Sequence, residues 1–267
     1  MISESLLRVA RITRHLPRLR GLSALRVIYS AVLPLSPSWT GRVNDFDGDL
    51  MLDVDPREGI GINVWHAPKL FERKERELFC ASIVPGSRVL DVGANIGIYT
   101  LLAAKRGATV FAIEADPLNA ERLRNHVKLN GFTDRVTIFE CAATNSEASI
   151  TLYRDLDNSG HSNMFFGANG ITVNGRTIDS LGLPPIDLCK MDIEGAEVFA
   201  LAGMDNMIER SPNLKMLVEC SAEFGHAGEL LDFARSRFVN IEVVGKGPLP
   251  ADEQPPLFCN LWLTHHS

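Results

Sequence analysis

Residues 91–100 read DVGANIGIYT, an acid and two glycines behind an aliphatic run. Glycine lets a chain turn sharply and lie close against a ligand. A helix starting there adds free N–H groups and the positive end of its dipole. A nicotinamide-binding loop keeps a bare middle glycine to admit a pyrophosphate. Asn95 and Ile96 occupy that stretch, so the nicotinamide fingerprint is absent. Glu114 follows 21 residues after Gly93, in FAIEADP. A carboxylate at that spacing accepts hydrogen bonds from both ribose hydroxyls and repels a 2′-phosphate. Further on, KMDIEGAE places Lys190, Asp192, Glu194 and Glu197 within eight residues. Asp192 and Glu194 share one side of an extended segment, and Glu194 and Glu197 lie one turn apart if a helix starts there. Acids at a helix start also serve as caps, a structural role that competes most strongly for Glu197. Glu219, in LVECSAE, ends the following apolar run.

These groups need a frame, and the hydropathy pattern supplies one. RVLDVG, TVFAIEA and RVTIFECAA read as buried strands, with GIYTLLAAKRG and PLNAERLRNHVKLNG as the helices between them. Pro117 near a helix start, with Gly107 and Gly131 after helix ends, punctuates the series. Strand, helix and strand joined by short links predict a parallel α/β unit. Residues 144–182 interrupt it with two strand-like runs around the polar stretch DNSGHSNMFFGANG. Met164, Phe165 and Phe166 sit beside Asn, Ser, Gly and His there, a mixture suited to a carbohydrate or to an ordered lid. The alternation resumes with PIDLCKMDI, GAEVFALAGMDNMIER, LKMLVEC and GHAGELLDFARSR, and closes on FVNIEVVG and PLFCNLWLTH. The expectation is a doubly wound, mostly parallel sheet of about seven strands, the last antiparallel. Its ligands belong at the carboxyl ends of the strands. Before it come a helical stretch over 3–33, split near Pro17 and Gly21, a hairpin in GRVNDFDGDLMLDVD and a charged helix in KLFERKERELFCASI. The expected division is an extension over 1–79 and a main domain over 80–267.

Composition narrows the functional classes. The chain has 267 residues, 45% hydrophobic, enough to bury a substantial core. Residues 1–43 carry seven arginines, no lysine and one acid, whereas the rest carries 20 basic and 32 acidic residues. An acidic body argues against a large nucleic-acid groove. The basic start suits an anionic membrane surface or a partner, or simply a solvated amphipathic helix. Five scattered cysteines without a Cys-x-x-Cys fit reduced, buried thiols. No apolar run is long enough for a bilayer span, and the expected location is the cytoplasm.

The loop pattern D-x-G-x-x-x-G resembles the one S-adenosylmethionine-dependent methyltransferases use for the amino-acid half of their cofactor. VLDVGANIGIYTLLAAKRGATVFAIEADPLNAERLRNHVKLNG, TIDSLGLPPIDLCKMDIEGAEVFALAGM and LVEC, in this order, are similar to the FkbM family of methyltransferases over roughly residues 80–222. The resemblance implies a Rossmann-like class I methyltransferase fold and S-adenosylmethionine as cofactor. It implies O-methylation of a sugar, glycoconjugate or secondary-metabolite hydroxyl. Carried residue by residue, it places Asp91, Gly93, Ala94, Asn95, Gly97, Tyr99 and Thr100 around the methionine end and Glu114 and Ala115 at the ribose. Cys141 and Ala142 fall beside the adenine, where small side chains leave room for a flat ring, and Asp192 near the reacting methyl. A hydroxyl acceptor benefits from a general base, for which Asp192, Glu194 and His161 are the candidates. Hard cations favour carboxylates, but cofactor and hydroxyl binding explain the same acids, so no metal is expected. The competing readings are a catalytically silent methyltransferase-like binding domain and a nicotinamide-dependent oxidoreductase.

Overall fold

The structure, a computed structural model, describes residues 41–55, 58–154, 162–167 and 169–265. The helical stretch expected over 3–33, with its membrane or partner contact, and His161 lie outside the described residues.

The described chain falls into two units, with the division at Phe71 and Glu72. In the first, β1 (Gly41–Phe46) and β2 (Leu50–Val54) form the expected antiparallel hairpin, turning at Asp47 and Gly48. Val43, Phe46, Leu50, Leu52 and Val54 are buried along it, the alternation of a one-faced hairpin. A helix not expected from the sequence follows, α1 (Gly59–His66). Its two glycines depress intrinsic helix propensity, which hides it from periodicity. Gly61 is required by close approach, because a Cβ there would stand 1.9 Å from the Asp55 carbonyl oxygen.

The second unit opens with α2 (Arg73–Ala81), followed by β3 (Arg88–Val92), α3 (Ile98–Lys105), β4 (Thr109–Glu114), α4 (Pro117–Leu129) and β5 (Val136–Glu140). The polypeptide then passes through β6 (Ala142–Ala143), β7 (Ser149–Arg154) and β8 (Asn169–Arg176) before returning to the main sheet in β9 (Leu188–Met191). Next come α5 (Glu197–Ala202), α6 (Asp205–Glu209), β10 (Lys215–Ser221), α7 (Ala227–Arg237), β11 (Asn240–Val243), β12 (Gly247–Pro248) and β13 (Phe258–Thr264).

The main sheet has the order β12-β11-β13-β10-β9-β3-β4-β5. The pairs β10–β9, β9–β3, β3–β4 and β4–β5 are parallel, and β13 runs antiparallel to both β10 and β11. This is the doubly wound class I methyltransferase arrangement implied by the sequence resemblance, with a two-residue edge strand added. The chain leaves β3 toward β4 and β5 and later returns to the opposite side of β3 as β9. The switch point therefore lies between the carboxyl ends of β3 and β9, where such sheets bind ligands. Leu90, Val92, Cys189 and Met191 are fully enclosed in the core around it, each contributing about 1.5–3 kcal/mol.

Two boundaries differ from the sequence expectation. The run RVTIFECAA is not one strand: β5 stops at Glu140, and Ala142–Ala143 pairs instead with β8 in a separate three-stranded sheet, β6-β8-β7. The run GAEVFALAGMDNMIER is not one helix: it breaks at Gly203, where a Cβ would stand 2.1 Å from the Thr144 carbonyl oxygen. Close passage of another backbone ends the helix there, and no sequence period reports it. Cys141, Cys189, Cys220 and Cys259 are buried, Cys80 is partly so, and all five are free thiols. Among the described residues no helix is long and apolar enough to cross a membrane.

Candidate functional site

The loop after β3 is fixed from both sides. Gly93 and Ala94 donate their N–H groups to the Ile113 carbonyl at 2.9 and 3.0 Å, tying the turn to β4. Gly93 has φ +79°, and a Cβ on it would stand 1.9 Å from the Asp192 carbonyl oxygen. The glycine is thus demanded twice, by its left-handed backbone and by the chain beyond β9 pressing against it. Asn95 is also left-handed, with φ +51°, and its Oδ1 accepts the Ile96 N–H at 2.7 Å. Short polar side chains tolerate that conformation because they bond locally. Gly97, with φ +95°, starts α3, and its missing Cβ makes room for Leu123 of α4. Below the loop, His126 Nδ1 lies 2.7 Å from the Ile96 carbonyl. A carbonyl only accepts, so that nitrogen carries the proton.

Glu114 ends β4 inside this frame. Its Oε2 accepts the Asn95 N–H at 2.7 Å and its Oε1 accepts the Asp116 N–H at 2.8 Å. Each carboxylate oxygen has a second acceptor position left. Burial pushes its pKa up to about 7, against the lowering effect of these two N–H bonds. Asp116 in turn caps α4 by accepting the Leu118 N–H, and Arg154 grips it with two bonds of 2.7 and 2.6 Å. A residue of the interrupting hairpin therefore holds the segment that holds Glu114. Ala115 packs against the small cluster of Ala142, Leu152 and Val173.

Asp91 and Thr100 face inward. Thr100 donates its hydroxyl to Asp91 Oδ2 at 2.6 Å, and both are buried. Burial raises the Asp91 pKa to about 6. Tyr99 donates its hydroxyl to Glu72 Oε2 at 2.8 Å, and Phe79 meets its ring edge-on at 4.9 Å. These three expected residues are tied into the protein, while Gly93 and Asn95 are the partly exposed residues of the loop and Ala94, Gly97 and Glu114 are buried.

Across the switch point stands a charged cluster. Lys190 is 2% exposed in β9, and an ammonium so enclosed requires a partner. It donates to Asp192 Oδ2 at 2.8 Å and lies 5.2 Å from the centre of the Tyr99 ring. Asp192 and Glu72 hold the lysine charged, raising its pKa against burial. Glu219, at the end of β10, hydrogen-bonds Asp192, and burial and that neighbouring charge push its pKa far up. Burial and the Asp192 charge thus both favour the neutral form of Glu219. Glu197 caps the turn after β9, accepting the Ile193 N–H at 2.8 Å. Glu194, left-handed at φ +54°, carries a pKa raised to about 8 by burial and then by Asp192, Glu197 and Glu223. Among the described residues, no group of acids, histidines and cysteines has the arrangement of a metal site.

Several contributors escaped sequence reading. Lys190 stood out only as a charge, and nothing near Glu72, Arg154 or Phe224 marks them in sequence. The signal for Lys190 was its place inside a buried strand, since a lysine there must be paired.

The family model described as "Methyltransferase FkbM domain" matches residues 91–240, more than half of the chain. A ribosomal protein L11 methyltransferase of Syntrophomonas wolfei is 31% identical over 107 residues, 40% of this chain and 33% of the relative. A tRNA1(Val) (adenine(37)-N6)-methyltransferase of Shewanella amazonensis is 38% identical over 69 residues, 26% of this chain and 30% of the relative. The chain thus spans about a third of the length of the curated relatives it matches. Among solved structures, the FkbM methyltransferase of Methylobacillus flagellatus is similar at 20% identity and a TM-score of 0.47, covering 70% of this chain and 50% of that one.

Proposed function

The chain belongs to the FkbM methyltransferase family, and we propose that it methylates a hydroxyl oxygen of a sugar, glycoconjugate or secondary metabolite. It is a methyltransferase whose methyl donor is S-adenosylmethionine. The observation that carries the proposal is the abutment at the switch point: the Gly93 turn has no room for a Cβ beside the Asp192 carbonyl. Donor loop and acid cluster are therefore neighbours.

The residues present fit the cofactor. The Gly93–Gly97 turn is held in one shape, with no room for a Cβ on Gly93 against Asp192 or on Gly97 against Leu123, and Glu114 is fixed by two N–H bonds with acceptor positions to spare for ribose hydroxyls. Cys141 and Ala142, just past β5, are small enough to leave room for the adenine, and Ala115 follows Glu114 toward the ribose. Asp91 and Thr100 shape the loop by bonding each other. Bound S-adenosylmethionine supplies an electrophilic methyl on a sulfonium, so the chemistry is the cofactor's and the protein contributes placement.

Placement falls to the acids. Lys190 and Glu219 both hold Asp192, which fixes that carboxylate as an acceptor for a substrate hydroxyl. Glu194 carries a pKa raised to about 8 by burial and then by Asp192, Glu197 and Glu223, which matches proton removal near neutrality. It is the proposed base: the hydroxyl proton passes to Glu194 as the oxygen takes the methyl. The acidic composition, net −6, opposes an RNA acceptor, and the match to protein and tRNA enzymes covers only a third of them.

Asp192→Asn tests the assignment. It is expected to abolish turnover while leaving S-adenosylhomocysteine affinity near wild type, and, because it leaves the enclosed Lys190 without its carboxylate, to lower the melting temperature without unfolding the chain. Retained turnover removes Asp192 from the reaction.

A further inference from the structure

An aromatic group stands beside the acids. The segment after the undescribed part of the interrupting loop returns at Asn163, which exchanges backbone hydrogen bonds with Tyr153 at 2.7 and 3.0 Å. Its Oδ1 accepts the N–H groups of Phe165 and Phe166 at 2.9 and 3.1 Å. The two phenylalanines are thus set in place by a built turn. Phe165 stacks on Phe224 at 5.1 Å, and Phe166 lies 5.8 Å from Phe224. Phe224 fills the space a Cβ on Gly195 would need, at 2.2 Å, so this ring touches the turn that carries Glu194. Phe199 and His226 pack against Phe165 from behind. His226 Nδ1 is enclosed without a hydrogen-bond partner, with Glu229 Oε1 3.6 Å away. Phe166 remains 59% exposed.

We infer that Phe165, Phe166 and Phe224 form the acceptor platform, and that its occupant is a neutral sugar ring. The chemistry on either side selects that occupant. A pyranose has an apolar C–H face that stacks on an aromatic ring and a hydroxyl edge that donates to carboxylates. Glu194 adjoins Gly195, which Phe224 covers, and Asp192 lies two residues before it; Lys190, the cation bound to Asp192, is enclosed and so is not offered to a phosphate or carboxylate. Phe165 and Phe166 each donate one N–H to Asn163, so the backbone that carries them is already ordered before anything binds. This inference rests on the O-methyltransferase reading above.

The test uses the full chain saturated with S-adenosylhomocysteine and saturation-transfer NMR. The probes are the methyl glycosides of glucose, galactose, mannose and rhamnose, with catechol and glucose 6-phosphate as comparators. Ring C–H signals of at least one neutral glycoside are expected to saturate. Phe166→Ala should weaken that transfer roughly five- to ten-fold, the weight of one aromatic contact, and Phe166→Tyr should retain it. S-adenosylhomocysteine affinity should stay unchanged in both. Catechol or the phosphate saturating in place of every glycoside overturns the platform, as does no saturation of any probe or unaltered transfer in Phe166→Ala. Failure of the wild-type chain to bind S-adenosylhomocysteine overturns the methyltransferase reading beneath it, a distinct result.

Discussion

At the scale of single residues, the account turns on carboxyl groups whose protonation the fold controls. Glu114 sits near pKa 7 because burial outweighs the two N–H groups it accepts. Hydrogen bonds from ribose hydroxyls stabilise the ionised form, so cofactor binding lowers that pKa and expels a proton. S-adenosylhomocysteine should therefore bind more tightly as pH rises through about 7, with a binding enthalpy that varies with buffer ionisation. Glu114→Gln should weaken binding at least about ten-fold, the loss of one or two hydrogen bonds to a charged acceptor, and abolish the buffer dependence. Calorimetry in two buffers checks both. Glu114 and the Asp192–Glu194 pair were legible in the sequence because their positions follow from strand ends. The partners that tune them were not: Lys190 meets Asp192 two residues away, but Glu219 comes from another strand and Glu72 from before the sheet.

At the scale of elements, two joints carry the site. The first is the packing of the β3 turn on the chain after β9. Gly93→Ala combines an unfavourable φ with a clash against backbone, and backbone cannot swing aside. The variant should lose several degrees of melting temperature, about 2 kcal/mol or more, and fail to bind S-adenosylhomocysteine. The second joint is Arg154 on Asp116, 20% and 6% exposed. Arg154→Ala leaves a buried carboxylate without its cation and should cost about 1–3 kcal/mol. Hydrogen exchange should then quicken in β7 and at the start of α4. The alternation of strands and helices was readable because each element has its own period. The transfer of Ala142–Ala143 to a second sheet and the break at Gly203 were not, since both arise where a distant backbone passes close.

At the scale of the whole molecule, the fold encloses acids that prefer to keep their protons. Asp91 near 6, Glu114 and Glu197 near 7 and Glu194 near 8 all lie above their ordinary values. The folded chain then binds more protons than the unfolded one between their unfolded and folded pKa values, so stability falls as pH rises through that window. Without cofactor, the melting temperature should be higher at about pH 5 than at about pH 8. Glu194→Gln should narrow the difference, which thermal melts across that range will show. The class of fold was legible from one end of the domain to the other, because the glycine turn, Glu114 and KMDIEGAE occur in order along one sheet. The acceptor was legible only in part: Phe165 and Phe166 beside polar residues suit a carbohydrate or an ordered lid, but Phe224, far off in sequence, is alike in type to any core phenylalanine.

The central claim is methyl transfer from S-adenosylmethionine to a hydroxyl oxygen. The direct measurement is NMR of the products formed when the chain and 13C-methyl S-adenosylmethionine meet the small-molecule and glycoconjugate fraction of the cells that encode it. The account predicts a labelled methyl ether, formed by the wild-type chain and absent with Asp192→Asn. Label on nitrogen or carbon, label carried by protein or tRNA, or no enzyme-dependent label at all would contradict it.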